Sequence, residues 1–360
     1  MSSTQIRKDV SPLVMIAAGG TGGHVFPAIC FARELLSEGL KVSFCTDRRG
    51  ATYLGNLACP VIEQNIATSS RYLMYMSLVS NTLKKMWMLY KLRPQVVVGF
   101  GGYPSVPPVL AAQMLGIKSI IHEQNAVVGL ANKLLSKMAT KVLTSFPQTM
   151  GLRSTERTTC VGNPTRFEEQ YSSVIQPHND IFTILVFGGS QGSAVFAQAI
   201  PSIVCGLAEL HAIKVFHQCR HESLDNVRQT YASHGIDHVV DSFFDNIGEL
   251  YEQADLVIAR AGASTVFEII GFQKPAILIP FRNSINGDQA ANAEFLRSNG
   301  ATFVVDETEA LQERLMELLS DIIHDRSKLT AISDALRPLR IRNCTQNMKD
   351  AVMNLFHNFS

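Results

Sequence analysis

The chain contains no Cys-x-x-Cys pair, no Gly-x-Gly-x-x-Gly and no Gly-Lys-Ser/Thr. Each absence removes a chemistry. The seven cysteines (Cys30, Cys45, Cys59, Cys160, Cys205, Cys219 and Cys344) are scattered and odd in number. That pattern favours reduced thiols in a cytosolic compartment and argues against a zinc site. Without the dinucleotide fingerprint a nicotinamide cofactor lacks its usual cradle, and without Gly-Lys-Ser/Thr there is no P-loop. No apolar run approaches the roughly 18 residues of a spanning helix, so membrane contact is expected to be peripheral. The polar stretch Met1 to Val10 lacks the apolar core of a secretory signal. Charge is sparse as well: 18% of residues are charged and the net charge is +1, which implies no nucleic-acid partner.

One local absence is sharper. From Gln64 to His122 there is no carboxylate, while the same window holds Arg71, Lys84, Lys85, Lys91, Arg93 and Lys118. Within it, Tyr72 to Tyr90 is rich in Leu, Met and Val and carries the single Trp. Leu73, Met76, Val79, Leu83, Met86 and Trp87 fall at helical spacing. A basic, apolar, helical segment is expected there. The plain alternative is an amphipathic helix packed on a core.

What is present is the pattern of two α/β domains. A length of 360 residues exceeds one ordinary core, and 46% hydrophobic content is that of a folded protein. Short β-branched runs alternate with amphipathic stretches, as in a parallel sheet. In the first half, strands are expected at Leu13–Ala18, Val42–Cys45, Val96–Val98, Ser119–Ile121 and Val142–Thr144. Helices are expected near Val25–Ser37, Leu73–Leu92, Val106–Leu115 and Leu130–Met138. The second half restarts at Ile181–Phe187 and repeats the alternation to Thr302–Val304. The tail from Thr330 to Phe356 is helical in pattern. The expected division is 1–163, 164–340 and a C-terminal helix at 341–360 that packs back on the first domain.

Two glycine-rich loops sit at corresponding places in the halves. Gly19-Gly20-Thr21-Gly22-Gly23-His24 follows Leu13–Ala18, and Gly188-Gly189-Ser190-Gln191-Gly192 follows Phe182–Phe187. Each reads strand, turn, helix. Backbone N–H groups at a helix start bind phosphate, and glycine lets a ligand approach. The plain alternative is a tight turn with no ligand. Two further readings stay open. Asp47 stands where a ribose-binding acid would follow a second strand. Gly188–Gly192 also matches Gly-x-Ser-x-Gly, the nucleophile elbow, which would leave the first half unexplained.

His24 closes the first loop. The helix dipole disfavours its positive form, so a neutral imidazole and a general-base role are expected. Arg260-Ala261-Gly262-Ala263-Ser264-Thr265-Val266-Phe267-Glu268 follows another apolar strand and again suits a diphosphate. Glu268, one turn on, is placed to accept from a ribose or sugar hydroxyl. Asp288 and Gln289, with Asn292 following, open a later helix, where the side chains of Asp288 and Gln289 read sugar hydroxyls or simply cap. No Asp-x-Asp occurs. A divalent ion held between such carboxylates and a sugar nucleotide is therefore not expected, and backbone amides would carry that charge.

These motifs together resemble the MurG family within glycosyltransferase family 28. The resemblance rests on Gly19–Ala28, Gly101-Gly102-Tyr103-Pro104-Ser105, His122-Glu123-Gln124-Asn125, Gly162-Asn163-Pro164-Thr165-Arg166, Gly188–Gly192 and Arg260–Ala263, in order over nearly the whole chain. It implies a GT-B architecture: two Rossmann-like domains with parallel sheets and an interdomain cleft. It implies an inverting hexosyltransferase of peptidoglycan synthesis that moves N-acetylglucosamine from UDP-GlcNAc to the 4-hydroxyl of lipid I, giving lipid II. It also implies docking on the cytoplasmic face of the bacterial inner membrane through the Tyr72–Tyr90 region. Lys84 and Lys85 would then meet anionic headgroups. By the same resemblance, His24, Tyr103 and Glu123 are the catalytic candidates. Thr21, Gly22, Gly23, Asn125, Arg166, Ser190, Phe244, the segment Ala263, Ser264, Thr265, Val266, Phe267 and Glu268, and then Asp288 and Gln289 are the substrate contacts. No metal and no cofactor are implied. Asp288 departs from members with two glutamines there. Another GT-B enzyme using UDP-GlcNAc, such as a glycolipid synthase or an epimerase, and a non-catalytic nucleotide-binding module remain alternatives.

Overall fold

A computed structural model describes residues 12–66, 70–171, 180–189 and 192–356. In chain order, the first elements are β1 (Leu13–Ala17), α1 (Gly22–Ser37), β2 (Lys41–Thr46), α2 (Arg48–Ala51), β3 (Val61–Glu63), α3 (Arg71–Leu92) and β4 (Val96–Gly99). They are followed by α4 (Val106–Met114), β5 (Lys118–Glu123), α5 (Leu130–Leu135), β6 (Lys141–Thr144) and β7 (Thr158–Cys160). The second series runs β8 (Phe182–Phe187), α6 (Ala194–Ala208), β9 (Ile213–Gln218), α7 (Leu224–Ser233), β10 (Asp237–Asp241), α8 (Ile247–Gln253) and β11 (Leu256–Ala259). It closes with α9 (Ala263–Phe272), β12 (Ala276–Leu278), α10 (Asp288–Ser298), β13 (Phe303–Val304), α11 (Leu311–His324), α12 (Ser327–Leu336) and α13 (Cys344–Phe356).

The chain forms two units. The first comprises residues 1–124, 128–166 and 343–360; the second comprises 125–127 and 167–342. Each holds one parallel sheet, with order β3-β2-β1-β4-β5-β6-β7 in the first and β10-β9-β8-β11-β12-β13 in the second. Both are Rossmann-like α/β sheets covered by helices, because every crossover between parallel strands must return over a face. In each sheet the strand order reverses beside the first strand. That reversal falls at β1/β4 in one unit and at β8/β11 in the other. Loops leaving the carboxyl ends of those strands diverge, and the crevice between them is where such sheets bind ligands.

The central strands of the first sheet are buried on both faces and bury alternate residues on each. Val14, Ile16, Val96 and Val98 pack with Val25, Phe31 and Leu35 of α1 and with Met348, Val352 and Leu355 of α13. Met15, Ala17, Val97 and Ile121 pack on the opposite layer, against Val109 and Ala112 of α4 and Leu89 of α3. Lys349 of α13 donates to Glu34 (2.7 Å) and Glu38 (2.6 Å) of α1. The tail is two helices, not one continuous pattern. Pro338 sits in a 3₁₀ turn after α12, and Asn343 is left-handed at φ 57° before α13 begins. Proline supplies no N–H and a left-handed residue reverses the chain, so the periodicity could not run on as one helix.

Helix α3 matches the apolar segment but divides its charges unexpectedly. Ser70 caps its start by accepting from the Leu73 N–H (3.2 Å), and Arg93, left-handed at φ 50°, ends it before Pro94. Leu78, Met86 and Met88 face the core with Leu89. Leu73, Met76, Val79, Leu83 and Trp87 are exposed, Trp87 by 64%. Lys84 is exposed, but Lys85 is buried beside Cys45. Lys85 therefore does not share the exposed face of α3 with Lys84 and Trp87, which corrects the expectation that both lysines lie beside the exposed apolar residues. Lys85 lies on the inner side of the helix, one residue and about 100° further round. Among the described residues, no helix is long and apolar enough to cross a membrane.

Candidate active site

In the first unit the glycine loop after β1 and the Gly101-Gly102-Tyr103 loop after β4 lie at the strand reversal. They pack backbone to backbone. A side chain on Gly102 would strike the Gly19 carbonyl, and Gly102 adopts φ 74°. Asp47 fixes the first loop: its Oδ1 accepts from the Gly20 N–H (3.1 Å) and the Gly50 N–H (3.0 Å). The acid that a dinucleotide reading would assign to a ribose is thus spent on the loop and on the cap of α2.

His24 lies in the first turn of α1 and is half-buried. Its Nδ1 is 3.4 Å from Thr21 Oγ1. Its Nε2 edge faces Gly101, where a Cβ would lie 3.3 Å from Nε2 and 3.2 Å from Asn132 Nδ2. Only glycine leaves this space open. The imidazole pKa is lowered to about 4. Burial is the cause, not the dipole alone that sequence reasoning invoked. At neutral pH the ring is therefore uncharged. Thr21 and Gly23 are exposed beside it and Gly22 is buried.

Tyr103 opens a 3₁₀ turn and is 40% exposed. Glu123 is placed differently. It ends β5 at 1% exposure, and its Oε2 accepts from the Gly129 N–H (3.0 Å) and Asn132 Nδ2 (2.9 Å). The carboxylate thus orients Asn132, whose Nδ2 also donates to the His122 carbonyl (3.0 Å). Neighbouring His122 is fully buried. It donates from Nε2 to the Gly162 carbonyl (2.9 Å) and accepts at Nδ1 from Gln124 (3.0 Å). Burial lowers its pKa to about 4. Arg166, at the end of this unit, is exposed over the Phe26 ring at 5.5 Å.

In the second unit the equivalent loops follow β8 and β11. Ser190 lies outside the described residues. Ser193 caps α6 by accepting from the Phe196 N–H (3.4 Å). It also accepts from Arg260 Nη2 (3.0 Å), whose other nitrogen donates to Glu307 (2.5 Å) and the Ile279 carbonyl (3.1 Å). The Arg260 guanidinium lies over Phe196 at 4.7 Å and Phe281 at 5.4 Å. A buried arginine with these partners bolts the two loops together.

Helix α9 starts at Ala263 with Gly262 before it and no side-chain cap, so its first N–H groups point at the reversal. Ser264 Oγ is buried without a partner there. Ala263, Thr265, Val266 and Phe267 are buried, so this segment can offer a ligand mainly backbone. Glu268 is half-buried and accepts at Oε2 from the Tyr251 hydroxyl (3.1 Å). Tyr251 stacks on Phe272 at 4.8 Å, which fixes that hydroxyl. Gln289 accepts from the Phe281 N–H (2.9 Å), leaving its amide nitrogen outward of that bond. Asp288 accepts from the Gln289 N–H (2.7 Å), and burial raises its carboxyl pKa. Phe244 is buried at 8% exposure, which suits a backbone rather than a ring contact.

Asn125 belongs to this second unit. It is held by fully buried Asn292, whose Nδ2 donates to Asn125 Oδ1 and to the Ala261 carbonyl, both at 3.0 Å. Asn292 Oδ1 accepts from the Ala126 N–H (2.8 Å). Sequence reasoning met Asn292 only as a polar residue near a helix start, and missed Asn132 and Tyr251. A single Asn or Tyr inside an amphipathic stretch carries no signal of its partner.

Comparison with known proteins gives the family. Residues 14–144 match the glycosyltransferase family 28 N-terminal domain and residues 183–352 its C-terminal domain. A UDP-N-acetylglucosamine--N-acetylmuramyl-(pentapeptide) pyrophosphoryl-undecaprenol N-acetylglucosamine transferase of Agrobacterium fabrum is 37% identical over 340 residues, covering 90% of this chain and 89% of that one. The enzyme of the same description from Rhodospirillum rubrum is 37% identical over 354 residues, covering 94% and 91%. The crystal structure of Acinetobacter baumannii MurG superposes with a TM-score of 0.81 at 29% identity, covering 96% of this chain and all of that one. A UDP-GlcNAc 2-epimerase from Neisseria meningitidis shares the fold, with a TM-score of 0.68 at 11% identity, covering 96% of this chain and all of that one. The two domain matches and the relatives spanning nearly the full length identify the chain as a member of glycosyltransferase family 28, in the MurG family.

Proposed function

We propose that this protein transfers N-acetylglucosamine from UDP-GlcNAc to the 4-hydroxyl of the N-acetylmuramoyl-pentapeptide of lipid I, yielding lipid II and UDP with inversion at the sugar. The observation that carries the proposal is His24 at the strand reversal of the first unit, its Nε2 edge beside Gly101 and Asn132 and its pKa lowered by burial. The neutral tautomer that fits is Nδ1–H donating to Thr21, which leaves the Nε2 lone pair free. Nε2 takes the proton of the acceptor hydroxyl as its oxygen attacks the anomeric carbon and the UDP oxygen departs. Tyr103 contacts the acceptor, and Glu123 acts through Asn132 as a positioning residue.

The donor is assigned to the second unit, at the start of α9. The first N–H groups of α9, at Ser264 and Thr265, together with the Ser264 hydroxyl, face the diphosphate. Their fixed dipoles stabilise the charge that grows on the leaving group. Glu268 accepts from the ribose, the Phe244 backbone meets the uracil, and Asn125, Asp288 and Gln289 read the sugar and diphosphate. Thr21, Gly22 and Gly23 line the transfer position.

The exposed apolar face of α3, with Lys84 beside it, is assigned to peripheral docking on the cytoplasmic face of the inner membrane, where a polyprenyl-linked acceptor resides. The test is a reaction with labelled UDP-GlcNAc and a short-chain lipid I analogue. A β-1,4-linked disaccharide on the analogue is expected. Free N-acetylglucosamine or an epimer as sole product would transfer the site to another GT-B chemistry.

A further inference from the structure

A polar cavity of about 450 Å³ lies in the first unit between α3 and residues 63–65 at the end of β3. Its lining includes Gln64, Asn81, Ser80, Lys84, Lys85 and Glu63. None of these belongs to the transfer machinery described above.

Two features of the cavity are unusual. Lys85 is 6% exposed, and among the described residues no carboxylate lies within ion-pair distance of it. Its hydrogen-bond partner is the Cys45 thiol, which burial keeps in its neutral form. A buried ammonium without a counter-charge is costly, and an anion entering the cavity would relieve that cost. The second feature is Gln64, 5% exposed, whose Oε1 has no partner. Its Nε2 donates to the Pro104 carbonyl, which fixes the amide orientation and leaves Oε1 as an acceptor. A flipped amide would set two oxygens against each other.

A ligand must therefore bring negative charge to Lys85 and a hydroxyl donor to Gln64. Water satisfies Gln64 but not Lys85. Inorganic phosphate answers the charge, with no hydroxyl placed away from it. Exposed Lys84 adds charge at the mouth, and the Glu63 carboxylate at the rim suits a ligand hydroxyl rather than a phosphate. We propose that this cavity is a binding site for a phosphate ester carrying free hydroxyls, with the phosphate on Lys85 and Lys84 and a hydroxyl on Gln64. A lipid headgroup and a soluble ester share this chemistry.

The test is calorimetric titration of the full chain with glycerol 3-phosphate and, separately, inorganic phosphate. This readout does not depend on sugar transfer. Saturable binding of glycerol 3-phosphate is expected, severalfold tighter than inorganic phosphate because of the extra hydrogen bond. Lys85→Gln should weaken it by about tenfold or more, since a charge-assisted contact is lost. Ser80→Glu, on the exposed side of the cavity, should weaken it by repulsion without disturbing the core, and thermal unfolding checks that both variants are folded. Displacement by phosphatidylglycerol vesicles, but not by phosphatidylcholine vesicles, supports the site with a lipid as its source. Binding that neither vesicle displaces supports it with a soluble ester. No saturable binding to the wild type, or binding unchanged in both variants, overturns the proposal.

Discussion

Replacing Asn292 probes the second unit where the geometry makes the sharpest demand. Its carboxamide serves three groups, two of them buried: it donates to half-buried Asn125 Oδ1 and to the Ala261 carbonyl and accepts from the Ala126 N–H. Asn292→Ala removes all three hydrogen bonds. At about 1–3 kcal/mol for each of the two buried groups, the Ala261 carbonyl and the Ala126 N–H, the loss is about 2–5 kcal/mol. Asn292→Asp is nearly isosteric yet should be worse at high pH. One oxygen still accepts from Ala126, but the other would face two oxygens at 3.0 Å.

That aspartate would ionise only at a pKa well above its unfolded value of about 3.9. A group with a raised folded pKa stabilises below its unfolded pKa and loses that contribution as pH rises through the folded value. A shift of about 3 units is worth about 4 kcal/mol at pH 8. The assay is urea unfolding of the wild type and both variants at pH 5 and pH 8. Asn292→Asp should fall below Asn292→Ala at pH 8 and recover relative to it at pH 5, where its proton can bridge to one oxygen. Equal stability of the two variants at both pH values would refute this account of the clamp.

Burial lowers the pKa of His122 to about 4 and of His217 to about 3, from 6.5 unfolded. The unfolded chain then binds more protons, so stability should fall from pH 7 to pH 5 by about 2 kcal/mol for each histidine; a flat urea midpoint over that range would contradict it. Tyr251→Phe keeps the stack on Phe272 but removes the donor to Glu268, so the KM for UDP-GlcNAc should rise about tenfold with a smaller change in kcat. Steady-state kinetics with unchanged KM would remove Glu268 from ribose binding. On α3, Leu83→Glu should leave stability within about 0.5 kcal/mol yet weaken vesicle binding. By contrast, Leu89→Ala should cost about 2–5 kcal/mol in urea unfolding, because Leu89 is fully buried. Unchanged vesicle sedimentation of Leu83→Glu would move the docking surface elsewhere.

Both sheets were readable because their strands are short β-branched runs between loop signals, and both glycine loops lie at a strand reversal. The misses have separate physical causes. β3 and β7 are three residues each, too short to show a period, and both lie at sheet edges. Lys85 was misplaced because adjacent residues on a helix point about 100° apart, and charge alone does not say which is inside. The roles of Asn132, Asn292 and Tyr251 depend on partners distant in sequence. Asp47 was visible as an acid after β2, but that it caps α2 and holds Gly20 follows only from the loop's path.

The most direct test of the account is the turnover of His24→Gln with UDP-GlcNAc and the lipid I analogue, measured beside UDP affinity. Glutamine keeps a polar side chain there but cannot accept the proton. The account predicts that kcat falls by about 10²–10⁴-fold while UDP binds as in the wild type. Wild-type turnover in His24→Gln would contradict it.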